Sequence, residues 1–137
     1  MPRIIQQTVI LHGPAEQLYD MYLDAKIHGE ITGSPVQISR EAGAEFHAFN
    51  KMLLGKMLHV IPGRLIVQSW RAAHWNPEDL DSTLILTFWP EGENCRIELV
   101  HVNVPDHDYD DANQGWEKYY WIPWRDYLER KGRQSGD

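Results

Sequence analysis

The residues of this 137-residue chain whose types could do chemistry are seven histidines, one cysteine, a dense acidic run and six tryptophans. His47, His59 and His101 fall in strand-like segments, whereas His12, His28, His74 and His107 fall near element ends. No His-x-x-x-His spacing occurs, and the lone Cys95 offers no second thiolate for a zinc site. The run Asp106-His107-Asp108-Tyr109-Asp110-Asp111, with Glu117 at the twelfth position, imitates a calcium loop. Its sixth position is aspartate where the sharp turn requires glycine, and a strand rather than a helix precedes it. The acids are therefore expected to cap the following helix and to lie favourably in its dipole. Nucleophilic catalysis has no elbow of the Gly-x-Ser-x-Gly kind, and Cys95 has only Arg96 beside it to lower its pKa. His101 is the one weak catalytic candidate. An ordinary imidazole titrates near about 6.5, so it can move protons at neutral pH. No activating partner is visible in the sequence, and a polar tip in a mostly apolar pocket is the plainer expectation. Arg71 is the best cation for an acidic ligand group, with an ion pair to a surface carboxylate as the alternative.

Composition narrows the class. Hydrophobic residues are 42% and charged residues 24%, which is globular composition. The net charge of −7 repels phosphate backbones and argues against nucleic acid. No apolar stretch approaches the ~20 residues of a membrane span, and no signal peptide is visible. A cytoplasmic protein is expected, with no cofactor and no metal. Six tryptophans bring more ring surface than a small core ordinarily needs, which points to a groove or cavity.

Positioning these residues requires elements. Residues 3–12 read as a strand, 15–25 as a helix with Leu18, Met21, Tyr22 and Ala25 on one face, and about 24–30 as a second short helix. Strands are predicted at 36–40, 44–49, 56–61, 64–72, 82–89 and 96–104, separated by turn residues. Residues 112–131 carry Trp116, Tyr120, Trp124 and Tyr127 on one helical stripe. Pro123 should kink that helix between Tyr119 and Trp124. The expected fold is α+β. A curved, seven-stranded antiparallel sheet has its concave face covered by the long C-terminal helix, with two short helices after strand 1. Residues 1–131 form one domain and 132–137 a frayed tail.

The stretch Asn103-Val104-Pro105, with Gln114-Gly115-Trp116-Glu117-Lys118-Tyr119-Tyr120-Trp121, resembles the family of activator-of-heat-shock-protein-90-ATPase homologues. Pro14-Ala15-Glu16, Leu18-Tyr19, Ile31-Thr32-Gly33, Pro62-Gly63, Trp70-Arg71, Trp75 and Leu84-Ile85-Leu86-Thr87-Phe88 extend the resemblance, in order, from about residue 5 to 130. That family belongs to the START-like (SRPBCC) superfamily. The resemblance implies a helix-grip fold with a cavity between the sheet and the last helix. Relatives in the superfamily bind lipids, sterols or polyketides, and a few catalyse cyclisation or aromatisation. The eukaryotic namesake stimulates a stress-response chaperone, with much of that work done by a separate domain for which 137 residues leave no room.

The expected function is binding of a small hydrophobic or aromatic molecule. Its site would be formed by Phe46, Trp70, Phe88, Leu99 and His101 on the sheet with Trp116 and Tyr120 on the helix. Plain core packing is the competing reading for each ring. A cyclase-like enzyme using the same cavity and a chaperone-binding module are the alternatives. The protein is expected to be a monomer or a homodimer, with an edge strand or the Trp121 side of the helix as the dimer face.

Overall fold

The computed structural model describes residues 2–135. Arg3–His12 forms β1, as its β-branched run predicts, with Ile5, Val9 and Leu11 buried on one face. Pro14 stands at the N-cap of α1 (Ala15–Leu23), and Asp24 caps α2 (Ala25–Thr32) by accepting from the Ile27 N–H at 3.0 Å. Gly33 ends α2 at φ +75°, a left-handed conformation that side chains rarely adopt.

Five strands follow: β2 (Glu45–Ala48), β3 (Leu53–Ile61), β4 (Leu65–Ala72), β5 (Ser82–Glu91) and β6 (Asn94–Val104). Together with β1 they make one antiparallel sheet in the order β1-β6-β5-β4-β3-β2. The sheet thus has six strands, not the seven expected. The segment predicted at 36–40 is reduced to a single bridge between Gln37 and His47. Pro35 supplies no donor at its start, and a turn through Gly43 follows too soon for a ladder to form.

The register aligns the face that the helices cover. Gln68, Leu84, His101 and Ile5 make one row across β4, β5, β6 and β1, and Ile66, Leu86 and Leu99 make the next. All seven are buried, so the period-two parity read from β5 and β6 holds. At Gly55 the neighbouring strand comes so close that a Cβ would stand 1.9 Å from the Ser69 carbonyl oxygen.

A 3-10 turn (Asp106–Asp108) leads into α3 (Tyr109–Trp116), a π-helical turn (Glu117–Trp121) and α4 (Ile122–Ser135). In the π turn the Ile122 N–H reaches back five residues to the Glu117 carbonyl. Pro123 has no N–H for the Tyr119 carbonyl, and its ring crowds that carbonyl in a regular helix. The irregularity expected at Pro123 therefore takes the form of a wider turn just before it. Trp116, Tyr120, Trp124 and Tyr127 are all buried, as their stripe predicts. The extra residue in the π turn also carries Trp121 inward. It stacks between Trp116 (5.9 Å) and Trp124 (6.4 Å) and donates its indole N–H to Gln7 Oε1 at 2.7 Å. The Trp121 side is thus interior, which removes it as a dimer face. Helix α4 continues to Ser135, past the start expected for a frayed tail, whose last two positions lie outside the described residues. No helix among the described residues is long and apolar enough to cross a membrane.

Candidate functional site

Strand parity sends Trp70 on β4 and His101 on β6 to the helix-covered face, and Trp116 at the end of α3 comes down on both. The Trp70 and His101 rings meet edge-on at 4.7 Å, and the Trp116 ring lies 6.2 Å from Trp70 and 5.9 Å from His101. Trp116 Nε1–H is a donor only, so it donates to His101 Nδ1, at 3.2 Å. That leaves the proton on His101 Nε2, which donates to Ser82 Oγ at 2.7 Å, and Ser82 in turn donates to the Trp70 carbonyl at 2.6 Å. Every polar atom in this chain is matched by a neutral imidazole. Burial pushes the His101 pKa down to about 3, which keeps it neutral.

A second buried histidine works in the opposite tautomer. His28 Nδ1–H donates to the Tyr22 carbonyl at 2.8 Å, so its Nε2 accepts from the Tyr120 hydroxyl at 2.9 Å. Tyr22 donates its own hydroxyl proton to Gln68 Oε1. Burial lowers the His28 pKa to about 4 and raises those of Tyr120 and Tyr22. With the imidazole so weak a base and the phenol so weak an acid, this pair orients Tyr120 rather than exchanging its proton.

In front of these rings lies a cleft of about 380 Å³. Its walls are the β2–β3 hairpin (Phe49, Met52, Leu53), the end of β4 (Trp70, Ala72) and the C-terminal run (Ala112, Gly115, Trp116, Tyr119, Tyr120), with His74, Asp108 and Asp111 as its polar side chains. The hairpin reverses through three consecutive left-handed residues, Phe49 (φ +52°), Asn50 (φ +54°) and Lys51 (φ +69°), and the Met52 N–H donates to the Phe49 carbonyl at 3.1 Å. The ladder closes at Ala48 and Leu53, which makes this a four-residue loop. It presents Phe49 edge-on to Tyr119 at 5.6 Å and to Tyr120 at 5.9 Å. His74 belongs to the loop between β4 and β5. Arg71 clamps that loop through the carbonyls of Asn76 and Asp79 and pairs with Asp81 at 3.2 Å. Arg71 is thus occupied by its own loop, as the ion-pair alternative held.

Asp108 departs from its expected capping role. It stands at the N-cap of α3 but makes no side-chain cap bond. Its buried carboxylate instead accepts from Trp75 Nε1–H at 2.7 Å and meets His74 Nε2 at 3.3 Å. Among the described residues no three His, Cys, Asp or Glu side chains converge as metal ligands.

Of the seven ligand-binding residues predicted, Trp70, Trp116 and Tyr120 come together on the cleft wall. Phe46, Phe88, Leu99 and His101 are in the packed interior behind it, Phe46 near His28 and Phe88 edge-on to Tyr19. The hairpin residues and Tyr119 were missed. Tyr119 is off the stripe in a regular helix, and only its place in the Tyr-Tyr pair after Trp116 marked it. Two other grooves, of about 470 and 940 Å³, are lined largely by turn and charged residues such as Arg64 and Glu93, or Asp20, Lys26 and Arg40. The aromatic cleft is the better ligand site on its chemistry.

Comparison with known proteins places this geometry in context. The chain is 26% identical over 105 residues to the human "Activator of 90 kDa heat shock protein ATPase homolog 1", covering 77% of this chain and 31% of that protein. It thus spans about a third of the length of that curated relative. Its fold is similar to the crystal structure of an HSP90 activator from Plasmodium falciparum (TM-score 0.84, 21% identity, 92% of this chain and 96% of that one). It is also similar to the solution structure of the Aha1 dimer from Colwellia psychrerythraea (TM-score 0.76, 16% identity, 93% and 96%). Residues 12–122, which run from the end of β1 through the π turn and take in the whole cleft, match one family model, so the chain belongs to the Activator of Hsp90 ATPase homolog 1-like protein family.

Proposed function

We propose that this chain, as one module over residues 1–131, binds a small hydrophobic or aromatic molecule in the cleft between the β2–β3 hairpin, β4 and α3. The observation that carries this reading is the aromatic wall of Trp70, Trp116, Tyr119 and Tyr120 along the cleft, in which Trp116 and Tyr120 are held from behind by hydrogen bonds to His101 and His28. Burying about 200–300 Å² of ligand at ~25 cal/mol per Å² supplies about 5–7.5 kcal/mol before ordering costs, enough for weak, roughly submillimolar binding without chemistry. A cytoplasmic setting accords with the single buried, unpaired Cys95. The cyclase-like alternative through His101 has less support, because both ring nitrogens are engaged and the ring does not border the cleft.

The test is native mass spectrometry of protein purified from its own host, followed by denaturing extraction. A stoichiometric adduct of small-molecule mass is expected, lost in Gly115→Trp. Gly115 borders the cleft, and a Cβ there meets nothing closer than the Tyr119 ring at 3.6 Å. An adduct that persists in Gly115→Trp places the ligand elsewhere. Family membership favours a second reading, a surface that engages a chaperone. Chaperone binding unchanged by Gly115→Trp, with no adduct in the parent protein, supports that reading instead. The Colwellia dimer makes a homodimer the state to look for in the same spectrum.

A further inference from the structure

The cleft has a charge of its own. Its wall contains two carboxylates, Asp108 and Asp111, and no lysine or arginine. Asp108 is 6% exposed, yet among the described residues no full cation reaches it. Its two partners are the Trp75 indole N–H and the imidazole of His74, whose side chain is 57% exposed and carries charge only when protonated. A buried carboxylate is costly unless it is paired and its lone pairs are filled, and an ionised one has about four acceptor positions. Asp111 lies one turn along α3, exposed, and no ion pair holds it among the described residues. The same cleft is lined by aromatic rings, whose faces attract cations. The protein already uses this property at one of them, for Lys118 Nζ lies 5.2 Å from the Tyr119 ring centroid. In a cleft with low-dielectric walls the field of uncompensated carboxylates is focused on whatever enters.

We infer that the ligand of this cleft is a hydrophobic amine, an aromatic or alkyl body carrying a protonated nitrogen. The inference rests on the ligand-site reading above. The body replaces water against Trp70, Trp116 and Phe49, and the ammonium donates to Asp108 and Asp111 in charge-assisted bonds. A fatty acid or other carboxylate of the same shape is rejected, because it places like charges together where screening is weak.

Three probes of one shape test this on the intact chain at low salt: tryptamine, 3-ethylindole and indole-3-propionate, read by titration calorimetry and by side-chain chemical shifts in the cleft. The amine is expected to bind about fivefold or more tighter than the neutral indole, and the acid weakest. Asp111→Asn and Asp108→Asn should each shrink the preference for the amine, with tryptamine affinity falling further than 3-ethylindole affinity in both. Asp111 is exposed, so its variant tests the charge even if Asp108→Asn fails to fold. Neutral or acidic probes binding as tightly as the amine, with all three lost in Gly115→Trp, overturn the charge inference and leave the site standing. If no probe perturbs the cleft, the ligand-site reading fails and this inference fails with it.

Discussion

Ser82 is the smallest member of the chain that runs from Trp116 through His101 to the Trp70 carbonyl. It accepts the His101 Nε2 proton and gives its own to Trp70, both within 2.7 Å and both wholly buried. Ser82→Ala removes neither the histidine nor the carbonyl; the carbonyl keeps its place in the β4–β5 ladder opposite Ser82, but His101 Nε2–H is left without a partner. The cost is set by desolvation of that stranded group, about 1–3 kcal/mol, rather than by the ~1 kcal/mol of an average bond. Urea unfolding should show a fall in midpoint of that size with the slope unchanged, and the Trp70 and Trp116 side of the cleft should loosen. A midpoint within 0.5 kcal/mol of the parent's stability, a surface-like effect, would falsify the network. The sequence pointed to His101 as a polar tip in a mostly apolar pocket; the structure places it in the packed interior behind the cleft wall. Its partners were not legible because they are set by register. Ser82 is 19 residues away on the adjacent strand, and Trp116 arrives from a different element.

At the scale of elements, the period-two and three-four patterns located β1, both short helices and the buried stripe of the C-terminal run. What they missed were two places where backbone geometry departs from the pattern. One is the hairpin over the cleft. Its loop is Phe49-Asn50-Lys51-Met52, without the Asn-Gly or Asp-Gly that announces a tight reversal, so nothing in the residues marked it. The other is the π turn. Pro123 foretold a disturbance, but a proline does not say whether the helix breaks, kinks or widens, and that choice decides whether Trp121 faces in or out. The hairpin yields a prediction. Lys51 occupies a left-handed position at φ +69° that costs a residue with a Cβ about 1–2 kcal/mol. Lys51→Gly removes that cost while adding some freedom to the unfolded chain, about 0.4–1 kcal/mol. The net expectation is a gain of up to ~1 kcal/mol, seen as a higher thermal midpoint. A destabilised variant shows that the Lys51 stem packs on the cleft mouth and contributes more than the turn costs.

For the molecule as a whole, the two buried histidines couple stability to pH. Both are neutral when folded, His28 with its pKa lowered to about 4 and His101 to about 3, each chiefly by burial. Unfolded, each returns to about 6.5. The folded values lie below the unfolded ones, so at pH above about 6.5 neither state carries the proton and the full stability is present. As pH falls below that, the unfolded chain takes up protons that the fold refuses, and stability declines until the folded pKa values are passed. At pH 5 each histidine accounts for about 2 kcal/mol of loss, roughly 4 kcal/mol together. That is a large part of the 5–15 kcal/mol typical of a domain. Buried Tyr22 and Tyr120 act on the other side. Their raised pKa values preserve stability below about 10, and it is lost at higher pH as the unfolded phenols ionise. Urea unfolding at half-unit steps from pH 7.5 to 4.5 should therefore give a stability that falls with a slope approaching two protons per molecule. His28→Gln and His101→Gln should each halve that slope, whatever their absolute stability. Because His28 holds Tyr120, and His101 holds Trp116, the same protonations dismantle the back wall of the cleft. A ligand that binds there should therefore raise the unfolding midpoint at pH 7.5 and lose that effect in parallel with the fold, not ahead of it. A flat profile from pH 7.5 to 5 refutes the neutral-histidine account of this wall.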